Sequence, residues 1–452
     1  QIAQTKRDFG YLSPEYGLKS TAPFAHRTSF HLRLLSFERI PLPNLGRYPR
    51  SLGATRRLMN TRFHFLLIVC VSWLGTLGVG QAQEIVYRSE LVFPLRADHN
   101  HAPSIVELPD GSFLASWYRG SGERKADDVA VFGARLPRGS HSWSDPFVMI
   151  DTPGFPDGNT AMMVDGKGSL HLFWPLVLAN TWESCVTQQL VSFDPIGTGS
   201  PKWDRKESLW LKPDDFSAEA NSKLDTLLDT LPKPLSKELQ GKVDEVRGRF
   251  GDKLFQRLGW QTRCKPTVLE SGRLLLPLYS DTYSFSLMAI SDDQGLTWQA
   301  SKPIIGYGNI QPAVLQKKDG SLVAYMRENG FTEKIRTATS SDQGHSWSDI
   351  ASLELPNPGS GLDAVRLKNG HWILIYNDTD KGRHRLAVSV SLDEGQNWSK
   401  PKYLENEPEG SFHYPAIIQS SDGRLHAIYS YFVTAGKSMK HAEFDEAWVV
   451  TP

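Results

Sequence analysis

The chain has 452 residues with 50 basic and 50 acidic side chains, so its formal net charge is zero. That length holds two or three ordinary domains or one large repeat architecture, with ample core either way. The neutral balance argues against a nucleic-acid binder, which shows a basic excess, while 13 Trp and 37 Gly suit a β-rich chain with many turns.

Residues 1–58 are rich in Arg, Pro and Ser and contain only short apolar runs. Met59 then opens MNTRFHFLLIVCVSWLGTLGVGQAQ, with Arg62 as a positive start, Phe65 to Val79 as an apolar core and Gly80-Gln81-Ala82 as a small-x-small cleavage site. These are the three regions of a secretory signal peptide, and the run is short for a membrane span. On this reading residues 59–82 are removed on export and the mature protein starts near Gln83. It is then secreted or periplasmic, with no membrane span left. Residues 1–58 lie ahead of the native start at Met59 and have no fold to explain. Cys70 leaves with the signal, whereas Cys185 and Cys264 reach a disulfide-permissive compartment. Spacing alone leaves a bridge between them open.

From residue 84 onward a strand–turn–strand pattern repeats six times. The copies are HAPSIVELPDGSFLASW (101–117), NTAMMVDGKGSLHLFW (159–174), KPTVLESGRLLLPLY (265–279), QPAVLQKKDGSLVAYM (311–326), LDAVRLKNGHWILIYN (362–377) and HYPAIIQSSDGRLHAIYS (413–430). Each reads as a hairpin whose turn uses Gly for its positive φ, at 111, 168, 272, 320, 370 and 423. The turns recur about every fifty residues, save one gap of 104 between Gly168 and Gly272. A period near fifty with four strands per unit predicts an all-β, six-bladed β-propeller over 84–452. EIVYRSELVF (84–93) is placed to complete the last blade beside SMKHAEFDEAWVV.

The long gap holds helical periodicity over about 214–260. Leu224, Leu227, Leu228 and Leu231 fall at i, i+3, i+4 and i+7, and Leu239, Val243, Val246, Phe250 and Leu254 continue the stripe after two prolines. This predicts two amphipathic helices inserted between blades two and three, their apolar faces on the propeller.

One octapeptide recurs as SDDQGLTW (291–298), SSDQGHSW (340–347) and SLDEGQNW (391–398), with a degenerate RGSHSW at 138–143. Asp293, Asp342 and Asp393 are read as side chains that bond their own turn, with Gly295, Gly344 and Gly395 left-handed and Trp298, Trp347 and Trp398 as anchors. Three equivalent aspartates spread around a ring suit architecture rather than catalysis. The pattern S-x-D-x-G-x-T/S/N-W resembles the Asp-box, or BNR repeat, and residues 84–452 resemble the sialidase superfamily of six-bladed propellers. Propellers outside the sialidases also carry such boxes, so the motif speaks for the fold more than the activity.

Ligands bind propellers at the central mouth, where inner strands begin. The residues opening the hairpins are His99, His101, Asp157, Asn159, Arg263, Lys265, Gln311, Asp363, His413 and Tyr414, a titratable ring gathered from six segments. A sialidase substrate carries a carboxylate on its anomeric carbon, which guanidiniums hold and which would repel a carboxylate nucleophile; the family uses tyrosine. The resemblance implies Tyr414 as nucleophile, Arg327 and Arg383 as carboxylate ligands, with Arg385 competing for the second place. Asp127 or Asp128 becomes the acid/base in the loop after the first hairpin.

Two positions depart from the family. His101-Ala-Pro103 stands where Arg-Ile-Pro is expected, and Gln311 stands near the carboxylate that activates the tyrosine. Arg263 or Arg119 could restore the third cation, and Glu183 or Asp363 the base. The resemblance therefore implies an exported exo-glycosidase cleaving a terminal acidic sugar from a glycan, with no cofactor. A lyase or hydrolase acting on uronic-acid glycans through His, Tyr and Arg is an alternative, as is a non-catalytic carbohydrate-binding propeller. The sequence shows no HExxH-type metal spacing and no phosphate-binding Gly loop.

Overall fold

The computed structural model describes residues 85–213, 215–330 and 332–451. The signal-peptide reading at 59–82 and the stretch 1–58 lie outside the described residues. Six sheets follow one another along the chain, and in the first five the strands are hydrogen-bonded in sequence order from inner to outer. Blade one consists of His99–Glu107, Phe113–Gly120, Ala130–Leu136 and Phe147–Ile150. Blade three opens on two short inner strands, Gln261–Thr262 and Thr267–Val268, both paired with Leu274–Ser280. In blade six Ser411–Gln419, Leu425–Val433 and Gly436–Phe444 are completed by Tyr87–Leu91, which runs antiparallel from Tyr87↔Phe444 to Leu91↔Lys440. The outermost strand of the last blade thus comes from the start of the described chain and closes the ring.

The alternating strands bury large side chains between blades. Trp117, Trp174 and Trp372 are fully buried, as are Tyr325, Tyr376 and Tyr429. Each blade interface is a core of its own, which is why residues like Leu276 and Leu278 pack with Ala161 and Phe173 of the preceding blade.

The hairpin turn glycines all adopt positive φ, from 79° at Gly111 to 93° at Gly423. The octapeptides sit between third and fourth strands, at the end of the propeller away from the mouth. In the first, Ser291 Oγ donates to Asp293 Oδ1 at 2.8 Å, and Asp293 accepts from Thr297 N at 2.9 Å and Thr297 Oγ1 at 2.5 Å. The second and third copies repeat this, with Asp342 accepting from Ser346 N at 3.0 Å and Asp393 from Asn397 N at 2.8 Å. Burial works to raise the Asp293 carboxyl, but these bonds outweigh it and hold it at about 2. The aspartates are turn-forming groups, as their spacing predicts.

The insertion forms helices α1 (Phe216–Asp229), α2 (Lys237–Gly251) and α3 (Lys253–Arg257). Phe216, Leu224, Leu228, Leu239, Val243 and Phe250 pack with Trp260, Tyr283 and Phe285 in one core. Leu254, read as the end of the stripe, is instead 49% exposed. Asp252 breaks the helix and caps the next one through Leu254 N at 2.8 Å, which turns the stripe away from the core. The insertion connects the outer strand of blade two to the inner strand of blade three, so it stands on the mouth end. No helix among the described residues is long and apolar enough to cross a membrane.

Cys185 and Cys264 are both free and buried. Burial pushes both thiols up, Cys264 to about 12, and its Sγ donates to the Leu362 carbonyl at 3.3 Å.

Candidate active site

Strand periodicity decides which side chains meet at the mouth. The residue seven places after each turn glycine is Tyr118, Pro175, Tyr279, Arg327, Asn377 or Ser430. Each lies near the mouth end of a second strand, and their equal spacing puts them on the same face of their sheets. Residues one place further on point the other way, because successive strand side chains alternate.

The inner strands of blades one, four and six share a second device. Pairing slips between His101 and Ser104, between Ile310 and Ala313, and between His413 and Ala416. In each slip the residue before a proline takes positive φ: Ala102 at 54°, Gln311 at 58° and Tyr414 at 46°. A pre-proline residue prefers extended backbone and a bulky residue avoids this region, so the strain needs surrounding structure to hold it. The bulge aims Gln311 and Tyr414 at one another. Gln311 Nε2 lies 3.5 Å from the Tyr414 hydroxyl.

Tyr414 is the centre of the cluster. Arg327 Nη1 donates to its hydroxyl at 3.0 Å. The Arg263 and Arg383 guanidiniums lie 5.0 and 5.7 Å from its ring centre, and the His101 ring stacks on it at 4.5 Å. Gly361 makes room for the ring, because a Cβ there would come within 2.5 Å of Tyr414 Cδ1.

The site has two layers. Tyr414, His413, His99, Arg327, Arg383, Glu123 and Asp281 are half-buried and reach the solvent side. Beneath them His101, Gln311, Arg263, Tyr118 and Tyr279 are buried. Arg263 Nη2 donates to the Pro415 carbonyl at 2.6 Å, which ties the third blade to the backbone beside the tyrosine.

Charge sets the protonation states. Burial, then the neighbouring imidazoles and guanidiniums, holds His101 and His413 well below the usual histidine range, so both are neutral near pH 7. Burial raises the Asp281 carboxyl, outweighing Arg327 and the hydrogen bond from Gln261. Burial also works to raise Glu123, but His99, Tyr118 and Arg124 outweigh it and hold that carboxyl low. Tyr118 donates to Glu123 Oε1 at 3.1 Å. For Arg327 burial is outweighed by Tyr414, Asp281 and Tyr279, so its guanidinium is held above its ordinary value.

Several sequence expectations are corrected. Asp127 and Asp128 are exposed, the first bonded by Asn180 Nδ2 at 2.7 Å and the second capping Ser121 N at 3.1 Å. The same loop delivers Glu123 to the cluster instead. Arg119 lies eight places after its glycine and so points to the other face of its sheet, donating to Asn100 Oδ1 at 2.7 Å and stacking on Phe132. Asp363 is buried and already taken by Lys265 Nζ at 2.8 Å and Ile417 N at 2.9 Å, a structural tie between blades three, five and six. Glu183 sits in a short helix against Gly259 of the insertion's end. Arg385 is exposed beside Tyr403, whereas Arg383 reaches the tyrosine. Asp157 is consumed by Thr152 and by Trp174 Nε1 at 2.7 Å, and Asn159 donates to Tyr279.

Tyr118, Tyr279, Glu123 and Asp281 were not singled out by motif. Counting seven from the turn glycine finds both tyrosines, and Asp281 lies two beyond Tyr279 with the same parity. Glu123 has no local signal, since a loop carries it. No group of three or more His, Cys, Asp or Glu among the described residues is set to hold a metal.

The model of the BNR repeat-like domain matches residues 256–427. The anhydrosialidase of Macrobdella decora is 25% identical over 198 residues, 38% of this chain and 25% of that protein. The match thus spans about a quarter of the relative's length. Among solved structures, a leech intramolecular trans-sialidase complexed with 2,7-anhydro-Neu5Ac has a TM-score of 0.60 at 13% identity, covering 80% of this chain and 71% of that one. The NanB sialidase of Streptococcus pneumoniae gives 0.58 at 12% identity over 80% and 71%. A Dyadobacter fermentans protein of unknown function gives 0.58 at 16% over 79% and 99%.

The fold is that of the sialidase propellers, and the BNR repeat-like match covers its blades three to six in part. Its mouth sets Tyr414 between Arg327 and Arg383, with a buried neutral histidine at 101 and a glutamine at 311, the two positions read from the sequence as departures from the sialidase pattern.

Proposed function

We propose that this protein is an exported glycoside hydrolase that removes a terminal acidic sugar, sialic acid or a relative, from a glycan. The observation that carries the reading is the Tyr414 hydroxyl, bonded to Arg327 with Arg263 and Arg383 beside its ring. Arg327 and Arg383 hold the sugar carboxylate, and Arg263 lies beneath as a buried cation that supports the tyrosine. The Tyr414 oxygen attacks the anomeric carbon while its proton is lost to solvent at the open side of the site, the cationic Arg327 favouring the phenolate. Negative charge on that oxygen meets the Arg327 donor, already in place before the reaction begins.

Asp281 and Glu123 divide the remaining proton transfers. Two carboxyls whose surroundings push them apart suit opposite roles. The raised Asp281 gives its proton to the leaving oxygen, and the ionised Glu123 takes one from the water that releases the sugar. Hydrolysis of a fluorogenic α-sialoside tests the reading. Tyr414→Phe, which keeps the ring and its stacking, should lower turnover about 10³-fold or more with the fold unchanged by circular dichroism. Equal activity in the variant would end the nucleophile assignment. Product mass separates hydrolysis from formation of an anhydro sugar. Export is checked by the mature N-terminus, expected near Gln83.

A second reading rests on Gln311 and the neutral histidines. Gln311 rather than a carboxylate neighbours the Tyr414 hydroxyl; on this reading the arginines would neutralise a uronate and His413 or Tyr414 would remove its C5 proton, eliminating the glycosidic oxygen. Ultraviolet absorbance growing from an uronic-acid polysaccharide would favour this lyase. Glycan binding without any product would favour a carbohydrate-binding propeller.

A further inference from the structure

The innermost strand of each blade keeps one edge free of strand partners, and the buried N–H and C=O groups on that edge need partners from elsewhere. Blade three supplies several of them. Its inner strand is interrupted between Thr262, paired with Leu278, and Thr267, paired with Leu275. Five steps on this strand (262 to 267) thus face three on its neighbour (278 to 275), whereas the slips in blades one, four and six set three against two.

The four residues Thr262 to Lys265 in this interruption each reach another blade through a side chain. Thr262 Oγ1 donates to the Asn159 carbonyl, at the start of blade two, at 2.6 Å. Arg263 Nη2 donates to the Pro415 carbonyl of blade six at 2.6 Å. Cys264 Sγ donates to the Leu362 carbonyl, at the start of blade five, at 3.3 Å and lies 3.5 Å from the Gln311 carbonyl of blade four. Lys265 Nζ donates to Asp363 Oδ2 at 2.8 Å and to the Ala364 carbonyl at 2.7 Å, both in blade five.

Two of these contacts bracket the Tyr414 bulge. Tyr414 and Pro415 are the residues that the blade-six slip leaves without partners in the ladder. Arg263 holds the Pro415 carbonyl, and the same Asp363 oxygen that Lys265 fixes accepts from Ile417 N at 2.9 Å, three residues past the tyrosine. A tyrosine at φ 46° stays in that conformation only where its surroundings hold it. We propose that residues 262–265 form a crossbar that fixes the Tyr414 hydroxyl for reaction, with Lys265, acting through Asp363 and Ile417, as a positioning residue of the site. This rests on the glycosidase reading above. Lys265 acts on the backbone that carries the nucleophile, so it governs the rate of attack rather than the binding of the sugar.

Kinetics on a fluorogenic α-sialoside test this. Lys265→Met should lower kcat about 10²-fold, the cost of displacing a reacting group by about 1 Å, with KM unchanged. Lys265→Arg keeps a cation for Asp363 and should restore most of the rate. Because Lys265→Met leaves Asp363 buried and unpaired, the second arm combines it with Asp363→Asn. That double variant removes both charges, keeps an acceptor for Ile417 N and should show the same loss of kcat. A lowered melting temperature with kcat unchanged, assayed well below melting, would make the crossbar merely architectural and overturn the proposal. The Tyr414 ring resonance in protein carrying isotope-labelled tyrosine, assigned with Tyr414→Phe, reads position without turnover. It should move in the double variant and match wild type in Lys265→Arg; a resonance that stays in place overturns the proposal. A wild-type chain inert toward sialosides, whose Tyr414 resonance still follows residue 265, removes the glycosidase reading and leaves the crossbar.

Discussion

The two ends of the propeller are built from the same hairpins and yet behave differently. At the far end one turn recurs nearly unchanged: Asp293, Asp342 and Asp393 make the same bonds to the same positions of their own octapeptides. At the mouth the same register varies from blade to blade, with tyrosine alone used twice. The strained position before the proline is Ala102, Gln311 or Tyr414, and the residue seven past the turn is Tyr, Pro, Tyr, Arg, Asn or Ser. Repetition marks where the backbone needs a side chain to fold, and variation marks where side chains are free to do chemistry. A far-end aspartate contacts only its own turn. A mouth residue contacts several blades at once, as Tyr414 does with Arg263, Arg327 and Arg383.

Substitutions at the two ends should therefore separate activity from stability. The largest effect is expected at Arg327→Ala, which removes the donor to Tyr414 and a carboxylate ligand together. Steady-state kinetics should show kcat/KM lowered about 10³-fold with little change in melting temperature. Gln311→Glu places a carboxylate 3.5 Å or so from the tyrosine hydroxyl, where the amide nitrogen now stands. If the phenol is the nucleophile, a local proton acceptor should raise kcat about tenfold; a fall would favour the lyase arrangement instead.

Two far-end changes should leave kinetics alone and move stability. His426 is buried between the Phe113 and His441 rings, and burial with the His441 charge pushes it to about 3. The folded protein keeps it neutral while the unfolded chain takes up a proton below about 6.5, so stability is full above that pH and declines as pH falls. The loss at pH 5 should be about 2 kcal/mol, and His426→Gln should flatten the slope of melting temperature against pH between 6.5 and 5. Smallest is Asp293→Ala, which deletes an exposed turn's own acceptor and should cost about 1 kcal/mol in denaturant melts. The Asp293 contribution has its own window: its carboxyl is lowered from 3.8 to about 2, so that part is lost only as pH falls below about 3.8.

Much of this molecule was legible in the chain. Six turn glycines at near-equal spacing, strands of alternating character and three Asp-boxes each state a local requirement, because positive φ, side-chain alternation and Asx bonding depend on neighbours in sequence. They determine the number of blades, the position of the turns and which strand ends face the mouth. Tyr414 stood out as a residue opening a hairpin, and the resemblance to the sialidases added its role together with Arg327 and Arg383. The break at Asp252, by contrast, was hidden inside a continuous apolar stripe.

Only the tertiary structure decided which mouth residues meet and which are spent elsewhere. Asp363 looked like a free carboxylate until the ring brought Lys265, 98 residues away, to pair with it. Arg119 differs from Tyr118 by one place of strand parity, and the path of one loop brings Glu123, not Asp127 or Asp128, into contact with Tyr118. His101 meets its Ser430 partner across 329 residues, a contact that exists only because the first strand closes the last blade. Local chemistry repeats along a chain and can be counted there; the convergence of blades one, three, four and five on the tyrosine of blade six is a property of the closed ring.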